Sequence, residues 1–168
     1  MPRLKPTPPA SVLLVEDNPG DVELVRSAMR KWTREVTLQV ARDGVEAMEA
    51  MEQTDAENAS FDLILLDLNL PRRSGLETLR LIKSCDRYRA TPVVVLTSST
   101  APNDVTAAYE AGANGYLAKS LNFTQSRERL AALERFWLHT ACLPAPALAS
   151  TRRLAPRSES LDTTLPPP

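Results

Sequence analysis

The chain of 168 residues is poor in features that define several large protein classes. Its net charge is only −1, so no broad basic surface is available for binding nucleic acid. The two cysteines, Cys85 and Cys142, have neither the spacing of metal ligands nor that of a disulfide framework, which suits a reducing cytoplasm. Aromatic residues make up 5% of the chain, so aliphatic side chains must dominate the core.

Long apolar runs are also missing from the sequence. No stretch approaches the roughly 20 apolar residues of a membrane-spanning helix. The first ten residues, MPRLKPTPPA, lack the apolar segment of a signal peptide. We therefore expect no membrane association and a cytoplasmic location.

Proline is concentrated at the two ends of the chain. Of the 14 prolines, 4 lie in residues 1–10 and 6 lie in residues 144–168. Proline-rich segments of this kind rarely bury enough apolar surface to fold. We therefore predict one folded domain at residues 11–143, with an extended or disordered tail on each side. The composition, 43% hydrophobic and 24% charged, is ordinary for one globular domain.

Short apolar runs alternate with helical patterns through the central segment. Five runs have the character of strands, and the second has the two-residue period of an edge strand. These runs are SVLLVED, VTLQVA, DLILLD, PVVVLT and GYLAK. Each is followed by apolar residues at helical spacing, and the last helical pattern, NFTQSRERLAALERFWLHTA, is the longest. The alternation predicts an α/β fold in which helices cover both faces of a parallel sheet.

Polar side chains stand at the ends of four of these strands. Glu16 and Asp17 end the first strand, Asp67 the third, Thr97 the fourth and Lys119 the fifth. Because the carboxyl ends of parallel strands share one edge, we expect these groups to converge. Three carboxylates repel one another unless a cation lies between them, and hard oxygen ligands suit Mg²⁺. A carboxylate can also accept a phosphoryl group, for which Lys119 would be a point charge and Thr97 a hydroxyl donor.

The ordered segments VED, LLDLNLP, VVVLTS and YLAKS resemble the receiver domain of two-component response regulators. The resemblance extends over about residues 11–143. It implies a flavodoxin-like, CheY-like fold: a doubly wound (βα)5 three-layer sandwich with strand order 2-1-3-4-5. It also implies a signalling protein that catalyses only its own metal-dependent phosphorylation and dephosphorylation.

The same resemblance assigns roles to the acidic residues. Asp67 matches the phosphoacceptor aspartate, and Glu16 and Asp17 match the acidic pair that binds Mg²⁺, with Asp17 the more direct ligand. Asn69 matches the position whose backbone carbonyl contacts the metal. These four residues, with Mn²⁺ as an alternative to Mg²⁺, form the metal site that the resemblance implies.

Three further residues match the receiver pattern in the second half of the chain. Thr97 resembles the switch hydroxyl, Lys119 the phosphate partner, and Tyr116 the aromatic residue that turns inward when the hydroxyl moves. One departure is Ser120, which follows Lys119 where most receivers have a proline. The resemblance therefore implies a switch whose turn after the fifth strand has a different sequence.

A narrower resemblance links the chain to the small single-domain regulators that partner phytochrome-type histidine kinases. It rests on EDNPGDVELV, LDLNLPRRSG, GANGYLAKS and FWLHTACLP. It implies a sensor histidine kinase of that type as the phosphoryl donor.

The fifth helical pattern carries more apolar surface than one core needs. Leu130, Leu133 and Trp137 can face the sheet, whereas Phe136 and Leu138 then point elsewhere. We therefore predict a homodimer through the surface formed by the fourth helix, the fifth strand and the fifth helix. The alternative is that the C-terminal tail folds back over this surface.

Other functions fit the residues less well. An aspartate-nucleophile phosphatase needs a second acid two residues after the nucleophile, where this chain has Asn69. An FMN phosphate would be repelled by EDNPGD after the first strand, and nothing after Pro144 is patterned as a DNA-binding domain. Signalling through the protein's own surface and phosphoryl shuttling within a multi-step relay both stay open.

Overall fold

The structure is a computed structural model that describes residues 8–57 and 59–144. The two predicted tails, residues 1–10 and 144–168, lie almost entirely outside the described residues, and the domain limits at residues 11–143 stay a prediction. The five strands are β1 (Ala10–Val15), β2 (Val36–Ala41), β3 (Leu63–Leu66), β4 (Val93–Thr97) and β5 (Gly115–Ala118). The five helices are α1 (Pro19–Met29), α2 (Gly44–Ala56), α3 (Gly75–Ser84), α4 (Pro102–Glu110) and α5 (Phe123–Glu134).

The five strands form one parallel sheet in the order β2-β1-β3-β4-β5. Strand order reverses at β1 and β3, which lie side by side although β2 separates them in sequence. The predicted fold class and strand order are therefore confirmed. Within the described ranges, no helix has both the length and the apolar character needed to cross a membrane.

Alternate strand residues feed two apolar clusters, one on each face of the sheet. On the face covered by α2, α3 and α4, the strand members are Leu13, Val15, Ile64, Leu66, Val93 and Val95. On the face covered by α1 and α5, they are Val12, Leu14, Leu63, Leu65, Val94 and Leu96. Full burial of each such side chain stabilises the fold by about 1.5–3 kcal/mol. The central strands are apolar on both faces because helices cover both.

Side-chain caps fix where the helices begin. Asn18 accepts hydrogen bonds from the backbone N–H groups of Gly20 and Asp21 at the start of α1. Ser74 and Glu77 form a reciprocal capping box at the start of α3. At the other end of a helix, Gly112 follows α4 with φ of 98°, a conformation that glycine adopts without steric cost. The Asn18 cap starts α1 directly after Glu16 and Asp17, and the Ser74 capping box starts α3 after the loop that follows Asp67.

The C-terminal helix differs from its sequence pattern. α5 ends at Glu134 and continues as a π-helix over Arg135–Thr140, in which Ala141 N–H donates to the carbonyl of Phe136. Because bonds of this i→i+5 type turn each residue through a smaller angle, side chains shift in phase along the helix. Leu138 is consequently buried, and the prediction that it points away from the core is wrong. Phe136 is 53% exposed, as expected.

Gly75 brings the first turn of α3 against the backbone that follows β3. A Cβ atom at this position would lie 2.0 Å from the Asp67 carbonyl oxygen and 2.5 Å from the Leu68 Cα atom. The Gly75 N–H also donates to the Leu68 carbonyl at 3.0 Å. Helix α3 therefore packs directly on the backbone next to Asp67.

We predict that Gly75→Ala lowers the free energy of unfolding by about 1–3 kcal/mol, because the added methyl group has no space against rigid backbone. Gly115→Ala is the matched control, since its Cβ atom would meet only the Val94 methyl groups at 3.6 Å. Urea unfolding followed by circular dichroism measures both. Equal stability of the two variants would contradict the close packing at Gly75.

Candidate functional site

The structure brings three sequence-predicted acids together at the carboxyl edge of the sheet. One carboxylate oxygen each from Glu16, Asp17 and Asp67 lies within 4.8 Å of the others. Glu16 and Asp67 are buried, whereas Asp17 is exposed. The adjacency of β1 and β3 produces this cluster, since Glu16 and Asp67 directly follow those two strands.

Lys119 binds the same cluster from the end of β5. Its Nζ atom lies 2.6 Å from Glu16 Oε2, 2.7 Å from Asp67 Oδ2 and 2.9 Å from Asp21 Oδ2. Burial alone would lower the pKa of Lys119, but these three hydrogen bonds outweigh it and raise the pKa above its ordinary value. The ammonium group is therefore firmly charged and partly neutralises the acids.

Asp21 is the site residue that sequence reasoning missed. The sequence pattern marks it only as an acid in the first turn of α1, where it favours the positive end of the helix. Its proximity to Lys119 depends on the fold, which brings the first turn of α1 to the end of β5. The only available signal was its position one helical turn after Asp17.

Glu16 lies deepest in the cluster. Burial raises the pKa of its carboxyl group, although hydrogen bonds from Lys119 and from the Asn18 N–H act in the opposite direction. The Asn18 N–H donates to Glu16 Oε1 at 3.0 Å, so both carboxylate oxygens are held. The exposed Asp17 carboxylate remains the one that solvent reaches most easily.

The donor set fits a divalent cation of the hard type. Three carboxylates, from Glu16, Asp21 and Asp67, share the single Lys119 ammonium group, and Asp17 adds a fourth carboxylate beside Glu16 and Asp67. Their negative charge exceeds the positive charge of Lys119, so a dication at the acid cluster would relieve the repulsion. Carboxylate oxygens are also the ligands that Mg²⁺ and Mn²⁺ prefer.

Thr97 and Asn69 form a polar pair beside the acids. Thr97 is buried at the end of β4, and its Oγ1 accepts a hydrogen bond from Asn69 Nδ2 at 3.4 Å. The Asn69 N–H donates to Asp67 Oδ1 at 3.1 Å. The Thr97 hydroxyl thus contacts Asp67 only through Asn69 in this arrangement.

Tyr116 lies on β5, further from the acid cluster. Its hydroxyl donates to the Ser99 carbonyl at 3.0 Å, and its ring packs partly against the apolar cluster beneath α4. Burial raises the pKa of the Tyr116 hydroxyl. The contact ties β5 to the loop after β4, which is the loop that follows Thr97.

Ser120 organises the turn between β5 and α5. Its Oγ donates to Gln125 Oε1 at 2.7 Å and accepts from the Asn122 N–H at 3.1 Å. Its carbonyl accepts from Ser126 Oγ at 3.0 Å. All peptide bonds in the described part of the chain are trans. The serine thus builds this turn through hydrogen bonds.

The doubly wound fold, with acids and a lysine at the strand ends, defines a receiver-type signalling domain. A family model described as the response regulator receiver domain matches residues 12–131. The chain therefore belongs to the response regulator receiver domain family. This finding confirms the resemblance drawn from the sequence motifs.

Individual relatives share most of their length with this chain. Response regulator Rcp1 of Synechocystis sp. is 43% identical over 140 residues, which cover 82% of this chain and 95% of Rcp1. The Mn(2+)-bound form of Rcp1 matches with a TM-score of 0.75, covering 82% of this chain and 100% of that chain.

Two further solved structures match over a similar length. The phosphorylated cyanobacterial phytochrome response regulator RcpA is 39% identical to this chain, with a TM-score of 0.78. The match covers 82% of this chain and 100% of RcpA. A response regulator in red light signaling of R. palustris is 29% identical to this chain, with a TM-score of 0.73. The match covers 81% of this chain and 99% of that regulator.

We predict that Lys119→Met destabilises the metal-free protein by about 3–5 kcal/mol near neutral pH, because it leaves the buried Glu16 and Asp67 carboxylates without their cation. Loss of the ammonium group also moves the folded-state pKa of Glu16 further above its unfolded value. A carboxyl with a raised folded pKa stabilises at low pH, and this stability is lost as the pH rises through that pKa. The loss of unfolding free energy in Lys119→Met, relative to the wild type, should therefore become smaller as the pH falls.

Urea unfolding at several pH values measures this effect. Lys31→Met is the matched control, since Lys31 is exposed and the substitution should change stability little. Added Mg²⁺ should restore part of the stability of Lys119→Met by neutralising the acids. A variant as stable as the control at every pH would show that the three ion pairs contribute nothing.

Proposed function

We propose that Asp67 accepts a phosphoryl group from a phosphohistidine of a sensor histidine kinase. The observation that carries this proposal is the Asp67 carboxylate at the tip of β3, 2.7 Å from Lys119 Nζ and next to Glu16 and Asp17. An Asp67 oxygen attacks phosphorus and the phosphorus–nitrogen bond breaks. The histidine ring of the kinase, which carries a proton on its other nitrogen, keeps the electron pair of that bond and leaves as neutral imidazole. The product is an acyl phosphate, whose later hydrolysis regenerates the carboxylate.

Glu16, Asp17, Asp67 and the Asn69 backbone carbonyl would hold Mg²⁺ or Mn²⁺ at this site. The oxygen-rich acid cluster and the Mn(2+)-bound form of the similar protein Rcp1 support this assignment. When bound, the cation screens the negative charge that otherwise separates the acids from an incoming phosphoryl group.

Lys119 and Thr97 are the proposed partners of the phosphoryl oxygens. Lys119 already lies within hydrogen-bonding distance of Asp67, so its charge is in place to compensate the added phosphoryl charge. The Thr97 hydroxyl is weakly held by Asn69 at 3.4 Å and can exchange this contact for a stronger one to phosphate. Movement of Thr97 would then displace the loop that carries Ser99, whose carbonyl accepts the hydrogen bond from Tyr116.

The proposed kinase is of the phytochrome type. Support comes from the phytochrome response regulator RcpA and from the regulator in red light signaling of R. palustris, both of which match over most of their length. Such a kinase consumes ATP, so we assign both partners to the cytoplasm. Transfer from a phytochrome-type kinase that is no faster than transfer from an unrelated kinase would contradict this pairing.

The proposed output surface consists of α4, β5 and α5, through which we expect a homodimer and no contact with DNA. Large apolar side chains are exposed on or next to these elements, including Tyr109, Phe123 and Phe136. Tyr116 connects the surface to the loop after Thr97. Sedimentation with and without acetyl phosphate measures this assembly, and a monomer under both conditions would exclude it.

The proposed role is that of a signalling receiver without activity on other substrates. Asn69 occupies the position at which an aspartate-based phosphatase carries its proton-donating acid, and an amide cannot donate a proton in this way. The chain would therefore turn over only its own acyl phosphate.

We predict that Asp67→Asn abolishes phosphoryl uptake from acetyl phosphate and from a kinase, because an amide cannot form the acyl phosphate. The fold should stay intact, since the amide oxygen can still accept one of the two hydrogen bonds that the carboxylate accepts, from the Lys119 ammonium or from the Asn69 N–H. Intact-protein mass spectrometry after incubation with acetyl phosphate and Mg²⁺ measures the uptake.

Asp62→Asn is the control for this experiment. Asp62 precedes the same strand at its opposite end, where it accepts a hydrogen bond from the Ser11 N–H at 2.8 Å. This variant should be phosphorylated like the wild type. Continued phosphoryl uptake by Asp67→Asn, with the phosphoryl group located on another residue, would overturn the assignment of the phosphoacceptor.

A further inference from the structure

The loop between β3 and α3 contains a strained turn at Arg72. Arg72 is the only residue other than glycine with positive φ in the described part of the chain, and its φ is 60°. The Arg73 N–H donates to the Pro71 carbonyl at 2.6 Å and closes a three-residue turn around it. A γ-turn with positive φ at its centre is the rarer and more strained form. Such a conformation persists only where surrounding contacts hold it.

A buried carboxylate supplies those contacts. Arg72 Nε donates to Asp43 Oδ2 at 2.6 Å, and a second guanidinium nitrogen contacts the same oxygen. The Asp43 side chain is only 5% exposed, and its other oxygen caps α2 by accepting from the N–H groups of Val45 and Glu46. Glu46 adds a longer ion pair to Arg72 at 3.7 Å. Both oxygens of Asp43 are therefore engaged, one by its own helix and one by the loop.

The clamped loop is the one that carries part of the acid site. It begins at Asp67, passes through Asn69 and ends at Ser74, the cap of α3. On its inner side, the Asn69 N–H bonds Asp67 Oδ1, and the Gly75 N–H bonds the Leu68 carbonyl. On its outer side, Arg72 attaches the loop to the start of α2. Without the ion pair, the turn could relax to negative φ and carry the Asn69 backbone with it.

We infer that Arg72 is a positioning residue. Its ion pair with Asp43 holds the strained turn, and this turn orients the Asn69 carbonyl toward the metal site formed by Glu16, Asp17 and Asp67. The inference rests on the proposed function, in which that carbonyl is a metal ligand. Groups that orient metal ligands typically change metal affinity about 10–100-fold when they are removed. Arg72 contacts neither the metal-site cluster of Glu16, Asp17 and Asp67 nor the proposed phosphoryl group. Its effect on the metal site therefore passes through the loop backbone.

Three variants separate positioning from other roles. Arg72→Ala removes the ion pair and leaves the strained φ without the contact that holds it. Arg72→Gly removes the ion pair but adopts positive φ without strain. Asp43→Asn keeps a good helix cap and removes the negative charge. Arg30→Ala is the control, because it deletes an exposed ion pair with Glu23. Arg30 lies at the C-terminal end of α1, whereas the acid cluster lies at the start of that helix.

The measurements are Mn²⁺ affinity of the unphosphorylated protein by calorimetry and stability by urea unfolding. We expect Mn²⁺ binding to weaken about tenfold in Arg72→Ala and in Asp43→Asn, and to stay unchanged in Arg30→Ala. Arg72→Gly should recover stability and part of the Mn²⁺ affinity relative to Arg72→Ala, because glycine keeps the turn at positive φ without the ion pair. Simple electrostatics predicts a different result, since loss of the Arg72 charge would tighten cation binding and loss of the Asp43 charge would weaken it.

Each outcome decides the inference. Weaker binding in Arg72→Ala and in Asp43→Asn, with partial recovery in Arg72→Gly, supports it. Affinity of Arg72→Ala or Asp43→Asn within about twofold of wild type, tighter binding in the Arg72 variants, or an affinity of Arg72→Gly no better than that of Arg72→Ala would overturn it. The proposed function fails by a separate observation, namely absence of phosphoryl uptake by the wild-type protein, which the Mn²⁺ measurements do not involve.

Discussion

The structure depends on one ammonium group shared by three carboxylates. Lys119 holds Glu16, Asp67 and Asp21 at 2.6–2.9 Å, at the end of a sheet whose interior is apolar. Buried carboxylates are costly unless a charge compensates them, and one lysine compensates only part of the charge in this cluster. The remaining negative charge makes the edge receptive to a divalent cation. Stability and chemistry at this edge therefore arise from the same electrostatic imbalance.

The sheet topology makes this arrangement possible. β1 and β3 are neighbours at the point where strand order reverses, so acids that are about fifty positions apart in sequence meet at one edge. Helices on both faces keep water away from the strands, and the Asn18 cap starts α1 just beyond Glu16 and Asp17. Gly75 lets α3 approach the backbone of Asp67 closely. The rigid parts of the fold thus hold the Asp67 carboxylate, while the loops carry the groups that can move.

Those loops link the acid site to the rest of the surface by weak or exchangeable contacts. Asn69 joins Thr97 at 3.4 Å, and Tyr116 joins the Ser99 carbonyl at 3.0 Å. In the proposed function, a change of charge at Asp67 would be transmitted to the α4–β5–α5 surface as a redistribution between two sets of contacts. The loop after β3 is held differently, through the ion pair between Arg72 and the buried Asp43. One side of the site is thus adjustable, whereas the other is clamped.

Local patterns in the sequence were sufficient for the strands, the helical segments that follow them, and the acids and lysine at the strand ends, because runs and periods reflect the burial of neighbouring residues. Tertiary structure alone decided which distant groups meet. It placed Asp21 on Lys119, joined Arg72 to Asp43, and turned Leu138 inward through a π-helix. These features depend on packing between elements far apart in sequence, and no local pattern encodes the distance between them.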